Sequence, residues 1–561
     1  MQDKNHDIFR KVVIDSIRKH IKGFDESLIE VPPNPKLGDY AFPCFALAKK
    51  FRKSPTDIAK ELAKKIKPST FISKVQNTGP YLNFFVKSDI RAANVLKKIL
   101  KEKENFGKGT LKKEKTMIEY CQVNTHKAFH VGHLRGTFLG SSLVNIYRFC
   151  GYNTVSANYQ GDIGAHVAKV IWYLNNKKIV YPKEHKGRWL GQIYQKAIQR
   201  QNDETKIEVS KVLQGLEKGD KKLKELWKKT RQWSLDDFSA FYKLIGVGFD
   251  KLFFESEFEK PGKKLVMNMI DKGLAEKSDD AIIIDLDSLG KFLLLKSDGT
   301  ALYSTKDLAL AKEKFERYKI DKSLYVVGAE QKLYFKQLFK TLHLMGFKQA
   351  KSCVHVPYGL VNLKGGKISS REGELVYAEQ LVEQVIADAG KEVKKRYNKL
   401  SKKEIDERAK KIALAAIKFS FLNQDNSKGI IFDKEKSLSF EGETGPYILY
   451  TYARISSIIR KSGKKEWEMV VFNTNKLEDN LIKMLNDYPT IVENARDNYR
   501  PSTICRYLLD LCQLFNQYYH TTHVLKAEKD VMLARLNLIK CIRKVLKSGL
   551  ALLGIDVLEE M

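Results

Sequence analysis

The chain has 561 residues, 43% hydrophobic and 30% charged, which implies several folded domains and excludes a disordered protein. Its 100 Lys and Arg against 67 Asp and Glu leave a net charge of +33, which favours a polyanionic partner, although lysines on solvated faces account for part of the excess. No apolar run approaches the ~18 residues of a membrane helix, and the seven cysteines form no C-x-x-C pair, so neither a membrane span nor a disulfide framework nor a structural zinc is expected.

Residues 1–24 have helical periodicity but carry Asp3, Asp7 and Asp15, which suits neither a secretory signal nor a transit peptide. A cytoplasmic protein is expected. The turn-rich stretch Val31-Pro32-Pro33-Asn34-Pro35-Lys36-Leu37-Gly38-Asp39-Tyr40 precedes a helix over 45–67 and a turn into a strand over 78–86. Residues 101–115, rich in Lys and Glu, read as a linker. From residue 116 short β-type runs alternate with helices: a strand over 117–123, a helix from Val131, and strands over 281–286, 292–295, 324–327 and 354–356. That alternation argues for a parallel sheet. Residues 177–233 are helical and charged, an insertion. Beyond 437 the periodicity is helical throughout, and Leu533, Leu536, Leu538, Ile539, Ile542, Val545, Leu546, Leu550 and Leu553 give the broad apolar stripe of a bundle. The expected division is an α+β domain over 1–110, a Rossmann-type α/β domain with its insertion over 111–436, and an all-α bundle over 437–561.

Two short motifs carry chemistry. His130-Val131-Gly132-His133 sits where a strand gives way to a helix, the usual ligand position in an open α/β sheet. The free N–H groups and dipole of a helix start favour phosphate, two imidazoles can donate to its oxygens, and Gly132 lets an adenine approach the backbone. The histidines at i, i+3 would also suit zinc, but no third ligand lies at matching spacing. Downstream, Lys367-Ile368-Ser369-Ser370-Arg371 lies in a glycine-bearing stretch, a cation and hydroxyls able to close over a triphosphate. H-x-G-H followed by K-x-S-x-[RS] resembles the two signatures of class I aminoacyl-tRNA synthetases. The resemblance implies a Rossmann-type domain in which ATP, accompanied by Mg²⁺, and an amino acid form an adenylate by in-line attack at the α-phosphate.

Further stretches resemble the arginyl-tRNA synthetase family. These are Asn124-Thr125-His126-Lys127-Ala128-Phe129-His130, Asn158-Tyr159-Gln160-Gly161-Asp162-Ile163-Gly164 and the run from Asp298 to Ala309. Val326-Val327-Gly328-Ala329-Glu330-Gln331-Lys332 and the run from Gly442 to Tyr450 extend the match in the family's order. The implied substrates are L-arginine, ATP and tRNA(Arg), with tRNA required before arginine is activated, and the implied state is a monomer. A guanidinium is planar and always charged, so it wants a carboxylate and a polar or aromatic neighbour. Tyr303 and Asp307, at i, i+4 on one helical face, are implied to hold it with Glu119 nearby. Asn124 and Gln331 are implied at the α-amino and carboxylate end, and Lys127 shares the phosphate role with Lys367 and Arg371. The last region resembles the anticodon-binding bundle, where Tyr447 and Arg454 are candidate RNA contacts, and the first resembles the domain that touches the tRNA elbow, around Gly38-Asp39-Tyr40.

Two departures touch the pocket floor: Cys121-Gln122-Val123 stands where the family has S-S-P, and Ile163 where it has tryptophan. Rival readings are a cysteinyl-type class I enzyme, a catalytically silent tRNA-binding paralogue and a plain nucleotidylyltransferase. The Tyr303/Asp307 pair opposes the first, retention of His130, His133 and Lys367 the second, and the two RNA-binding ends the third.

Overall fold

In the computed structural model, which describes residues 7–176, 179–278, 281–297, 299–364, 376–397, 399–463 and 474–561, Asp7 caps the first helix by accepting from the Phe9 and Arg10 amides. That helix, α1 (Ile8–Arg18), buries Phe9, Val13 and Ile17 in one core with the antiparallel sheet of β1 (Tyr40–Pro43), β2 (Ile72–Thr78) and β3 (Tyr81–Val86), ordered β1-β3-β2. The single helix expected over 45–67 is broken. A 3₁₀ turn leads into α2 (Ala48–Phe51), Arg52 turns left-handed at φ +51°, and α3 (Pro55–Lys65) restarts where the Ser54 hydroxyl accepts from the Asp57 amide. Ser-Pro at that point is a helix-start signal that outweighs the continuing periodicity. α4 (Ser88–Glu102) then runs into the stretch read as a linker, where Phe106 is buried and stacks on Tyr488 with ring centroids 6.3 Å apart. The connection is packed.

The central unit begins with β4 (Lys115–Glu119), α5 (Val131–Phe149), β5 (Asn153–Gln160) and α6 (Ala165–Asn175). The helical insertion follows as α7 (Lys186–Gln199), α8 (Asp203–Lys218) and α9 (Lys221–Ile245), so it continues past the expected end near 233. The chain then forms β6 (Lys251–Phe254), α10 (Glu255–Asp271), β7 (Glu276–Ser278), β8 (Ala281–Asp285) and β9 (Lys291–Lys296). Next come α11 (Tyr303–Glu316), β10 (Lys322–Gly328), α12 (Lys332–Leu344) and β11 (Cys353–Tyr358). β11-β10-β4-β5-β6 form one sheet, parallel throughout. The strand order reverses between β4 and β10, so the connections after these two strands diverge and leave a crevice at their carboxyl ends. The runs at 281–286 and 292–295 lie outside this sheet, in an antiparallel β7-β8-β9. Their short connection, with a 3₁₀ turn at Asp287–Leu289, closes a hairpin, whereas a parallel pair needs a long crossover.

Gly136 and Gly140 let α5 lie close to the sheet, since a Cβ there would come within 2.6 Å of Tyr358 Oη and 2.2 Å of Tyr120 Cγ. β12 (Val361–Leu363), α13 (Ala378–Arg396), α14 (Lys402–Leu422), β13 (Ile430–Phe432) and α15 (Lys434–Leu438) lead to the bundle. The bundle is α16 (Gly445–Lys461), α17 (Lys476–Asp497), α18 (Ser502–Thr521) and α19 (Lys529–Leu552). The carbonyl end of α19 docks on the central unit: Ser142 donates to Leu552 O at 2.9 Å, Asn145 to Ala551 O at 3.2 Å, and buried Lys418 to Gly554 O. Among the described residues no helix is long and apolar enough to cross a membrane.

Candidate active site

The connection after β4 carries most of the expected nucleotide residues. His130 caps α5, and its backbone N–H donates to His133 Nδ1 at 3.2 Å, with the two rings stacked at 3.7 Å. A neutral ring accepting through Nδ1 carries its proton on Nε2. Burial lowers both imidazoles, His130 to about 4 and His133 well below its usual value. At neutral pH they therefore offer hydrogen bonds to phosphate rather than charge. Gly132 lies beside them, half-buried on the first turn of α5. The local cation is Lys127, half-buried with its ammonium 5.3 Å from the Tyr194 ring; burial lowers its pKa, and Lys169 adds to that. Lys367, Ser369, Ser370 and Arg371 lie outside the described residues.

Three carboxyls collect beneath the crevice. Glu119, at the end of β4, is buried with Lys314 Nζ 2.6 Å from its carboxylate. Glu255, first residue of α10, is buried against Lys306 Nζ at 2.8 Å. Asp307 accepts from Tyr334 Oη at 2.5 Å through Oδ2, while Oδ1 is shielded from solvent and has no partner among the described residues. Burial pushes Asp307 up to about 7, with Glu119 and Glu255 adding to the rise against the opposing Tyr334 and Lys314. Tyr159 Oη, also buried and without a described partner, feels the charges of Asp307, Glu255 and Glu119. Glu119 and Glu255 each have a lysine; Asp307 has none among the described residues. The pocket is thus short of one multi-donor cation. Tyr303, 53% exposed at the start of α11, stands at the outer end of the same helix face.

Asn124 approaches the connection after β5 so closely that a Cβ at Gly161 would lie 2.1 Å from its Oδ1 and 2.9 Å from Glu255 Oε1. Gln331 is exposed just after β10, on the other lip of the crevice. The sequence-expected residues after β4, after β10 and on α11 therefore converge on one crevice, with Glu119 turned to Lys314 as an internal ion pair. Tyr447 and Arg454 lie apart, in the bundle. Arg454 donates to Asn516 Oδ1 at 2.7 Å, Asn516 donates to Tyr447 Oη at 2.9 Å, and the guanidinium rests over Tyr450 and Tyr519 at 4.8 and 4.9 Å. Both are half-buried and tied into one polar cluster.

Family models match the chain in three successive stretches: the arginyl tRNA synthetase N terminal domain over residues 7–86, the class I (R) tRNA synthetase catalytic domain over 95–434, and the DALR anticodon binding domain over 448–561. The chain belongs to the arginyl-tRNA synthetase family. It is 37% identical over 567 residues to the arginine–tRNA ligase of Halothermothrix orenii, covering 99% of this chain and 100% of that one. The arginine–tRNA ligase of Bdellovibrio bacteriovorus is 40% identical over 551 residues, covering 94% and 93%. Among solved structures, Thermus thermophilus arginyl-tRNA synthetase superposes with a TM-score of 0.85 at 26% identity, over 98% of this chain and 100% of that chain. The Plasmodium falciparum arginyl-tRNA synthetase shares the fold, with a TM-score of 0.80 at 22% identity over 98% of each chain.

Within this arginyl-tRNA synthetase frame, sequence reasoning passed over Tyr334, Lys314, Lys306 and Glu255. Tyr334 had a signal, three residues past Gln331 on the first turn of α12. Lys314 had one too, seven positions after Asp307 and therefore on the same face of α11. Glu255 and Lys306 come together only through the packing of α10 on α11, which no local pattern announces.

Proposed function

We infer that the chain is an arginine–tRNA ligase that converts L-arginine and ATP to arginyl-adenylate and pyrophosphate, then passes arginine to the 3′-terminal ribose of tRNA(Arg). The observation that carries the choice of amino acid is the Asp307 carboxyl, shielded, with no paired cation among the described residues and beside Tyr334 and Tyr159. A guanidinium brings the missing positive charge and five N–H donors in one plane. With Tyr303 at the rim, the side chain of arginine is held by its tip. Its α-amino and carboxylate end then points toward Asn124 and Gln331, on opposite lips of the crevice.

The carboxylate oxygen attacks the α-phosphorus of ATP in line, the α–β bridging bond breaks, and pyrophosphate leaves with the electron pair. Lys127, the backbone at Gly132, and hydrogen bonds from His130 and His133 hold the triphosphate. Lys367, Ser369, Ser370 and Arg371 close on it as charge moves to the leaving group. Mg²⁺ carried by the ATP substrate would neutralise part of that charge. The terminal ribose hydroxyl of tRNA next attacks the carbonyl carbon and AMP departs. The assigned domains are an N-terminal elbow-binding unit over 1–110, the catalytic unit over 111–436 with its helical insertion, and the anticodon bundle over 437–561, where Tyr447 and Arg454 are assigned to the RNA face. A cytoplasmic monomer completes the reading, and the seven free, buried cysteines suit a reducing compartment.

Charging of tRNA tests it. The purified chain is offered each amino acid in turn with ATP, Mg²⁺ and tRNA. Acylation with arginine alone is expected, and acylation with another amino acid overturns the pocket assignment.

A further inference from the structure

Helix α9 of the insertion carries a polar stripe turned inward. Trp227, Thr230, Arg231 and Ser234 recur at i, i+3, i+4 and i+7 and so share one helical face. Each meets a connection at the carboxyl end of the sheet. Ser234 Oγ accepts from the His126 backbone N–H at 3.0 Å, and Thr230 Oγ1 lies 2.8 Å from His126 Nε2. Arg231 Nε lies 2.8 Å from Asp162 Oδ2, and Trp227 Nε1 donates to Asp162 O at 2.7 Å. Thr230, Ser234, His126 and Asp162 are all buried.

The Thr230 hydroxyl also donates to Leu226 O at 2.8 Å, and the Thr125 hydroxyl to Gly161 O at 3.3 Å, so both threonines are tied to backbone as well as to the ring. The Thr125 hydroxyl lies 2.9 Å from Nδ1, so a threonine hydroxyl meets each nitrogen of the ring. His126 adopts φ +61°, a left-handed conformation that a non-glycine residue keeps only when its surroundings impose it. Lys127 follows directly, and Asn124 lies two residues before. On the second connection, Asp162 also accepts from Ser256 N and Oγ at 2.9 and 2.7 Å, which fixes the first turn of α10 and with it Glu255 beside Lys306.

We propose that Thr230 and Ser234, with Arg231, are positioning residues for adenylate formation: through His126 and Asp162 the insertion helix sets Asn124, Lys127 and Gly161 in register with the nucleotide and the amino acid. The proposal deepens the functional reading above and rests on it. The stripe acts through the two connections, by its bonds to His126 and Asp162. An insertion serving only as an RNA platform would have no need to turn four hydrogen-bonding side chains, two of them buried, against those connections.

The test compares wild type, Thr230→Val and Thr230→Ser as full chains, by arginine-dependent ATP–pyrophosphate exchange with tRNA and by amide hydrogen exchange of residues 121–130. Valine keeps the shape and removes the hydroxyl; serine restores it. Thr230→Val is expected to lower kcat about 10- to 100-fold, as an ångström of misplacement does, with smaller changes in KM and with faster amide exchange in 121–130. Thr230→Ser is expected to return kcat to within about threefold of wild type. Wild-type kcat and protection in Thr230→Val, or a serine variant as slow as the valine one, overturns the proposal. Ser234→Ala, which frees the His126 amide, takes the place of Thr230→Val if that variant does not fold. An inert wild type would count against the functional reading, and the amide-exchange comparison would still decide whether the stripe holds the connection.

Discussion

Asp307 makes arginine binding depend on pH. In the free protein burial holds its carboxyl near 7, and no lysine among the described residues pairs with it. A guanidinium seated against Oδ1 favours the ionised form, so binding must expel whatever proton is present. With a free-state value of about 7, roughly 9% of the carboxyl is ionised at pH 6 and roughly 91% at pH 8. Arginine should therefore bind about tenfold more tightly at pH 8 than at pH 6, about 1.4 kcal/mol, with close to one proton released per arginine at the lower pH. Calorimetric titration of arginine in two buffers of different ionisation enthalpy counts that proton directly. Asp307→Asn removes the charge and should weaken binding at pH 8 by about 2–4 kcal/mol, roughly 30- to 1000-fold, while flattening the dependence below pH 7. An affinity constant from pH 6 to 8 with no buffer-dependent heat, or a variant that keeps the wild-type slope, would refute the reasoning.

Three further predictions concern separate links. Gly161→Ala places a Cβ 2.1 Å from Asn124 Oδ1, and the forced shift should lower kcat/KM for pyrophosphate exchange on the order of 100-fold; a variant with wild-type kinetics would contradict the close approach. Lys367→Ala should reduce adenylation turnover more than arginine affinity, and an unchanged rate in rapid-quench assays would remove Lys367 from the phosphate role. Lys418, buried at the carbonyl end of α19, has its ammonium lowered to about 8 by burial. Its unfolded value lies near 10.4, so the unfolded chain binds the extra proton between these values and folding is favoured as pH rises. The stability of wild type relative to Lys418→Met should grow by about 1.5 kcal/mol from pH 8 to 9.5 in urea titrations; a constant difference would mean that burial does not act on that ammonium.

The parts legible in the sequence share a physical basis. His130, Gly132 and His133 form a contiguous motif at a helix start, and Tyr303 and Asp307 need only helical spacing to face one way. The bundle announces itself through the stripe on α19, whose apolar positions are buried as that spacing requires. What stayed hidden depends on contacts distant in sequence. β5 reads Asn-Thr-Val-Ser-Ala-Asn-Tyr-Gln, too polar to look like a central strand, because Ser156, Asn158 and Gln160 are buried among polar groups. The antiparallel course of β8 and β9 follows from the short turn between them, whereas their composition suits either kind of sheet. Of the two departures, Cys121 stands at φ +64° with its carbonyl accepting from the Asn158 side-chain amide, which fixes the start of the connection. Nothing in the structure explains Ile163. The polar stripe on α9 escaped notice because Trp-Lys-Lys-Thr-Arg-Gln-Trp-Ser reads as a solvated, charged helix until its partners are known.

ATP–pyrophosphate exchange, run with arginine and with each other amino acid, with and without tRNA from a matching source, tests the central claim most directly. Exchange that requires both arginine and tRNA is expected. Tight tRNA binding without exchange would make the chain a silent paralogue, and exchange driven by another amino acid would contradict the role given to Asp307.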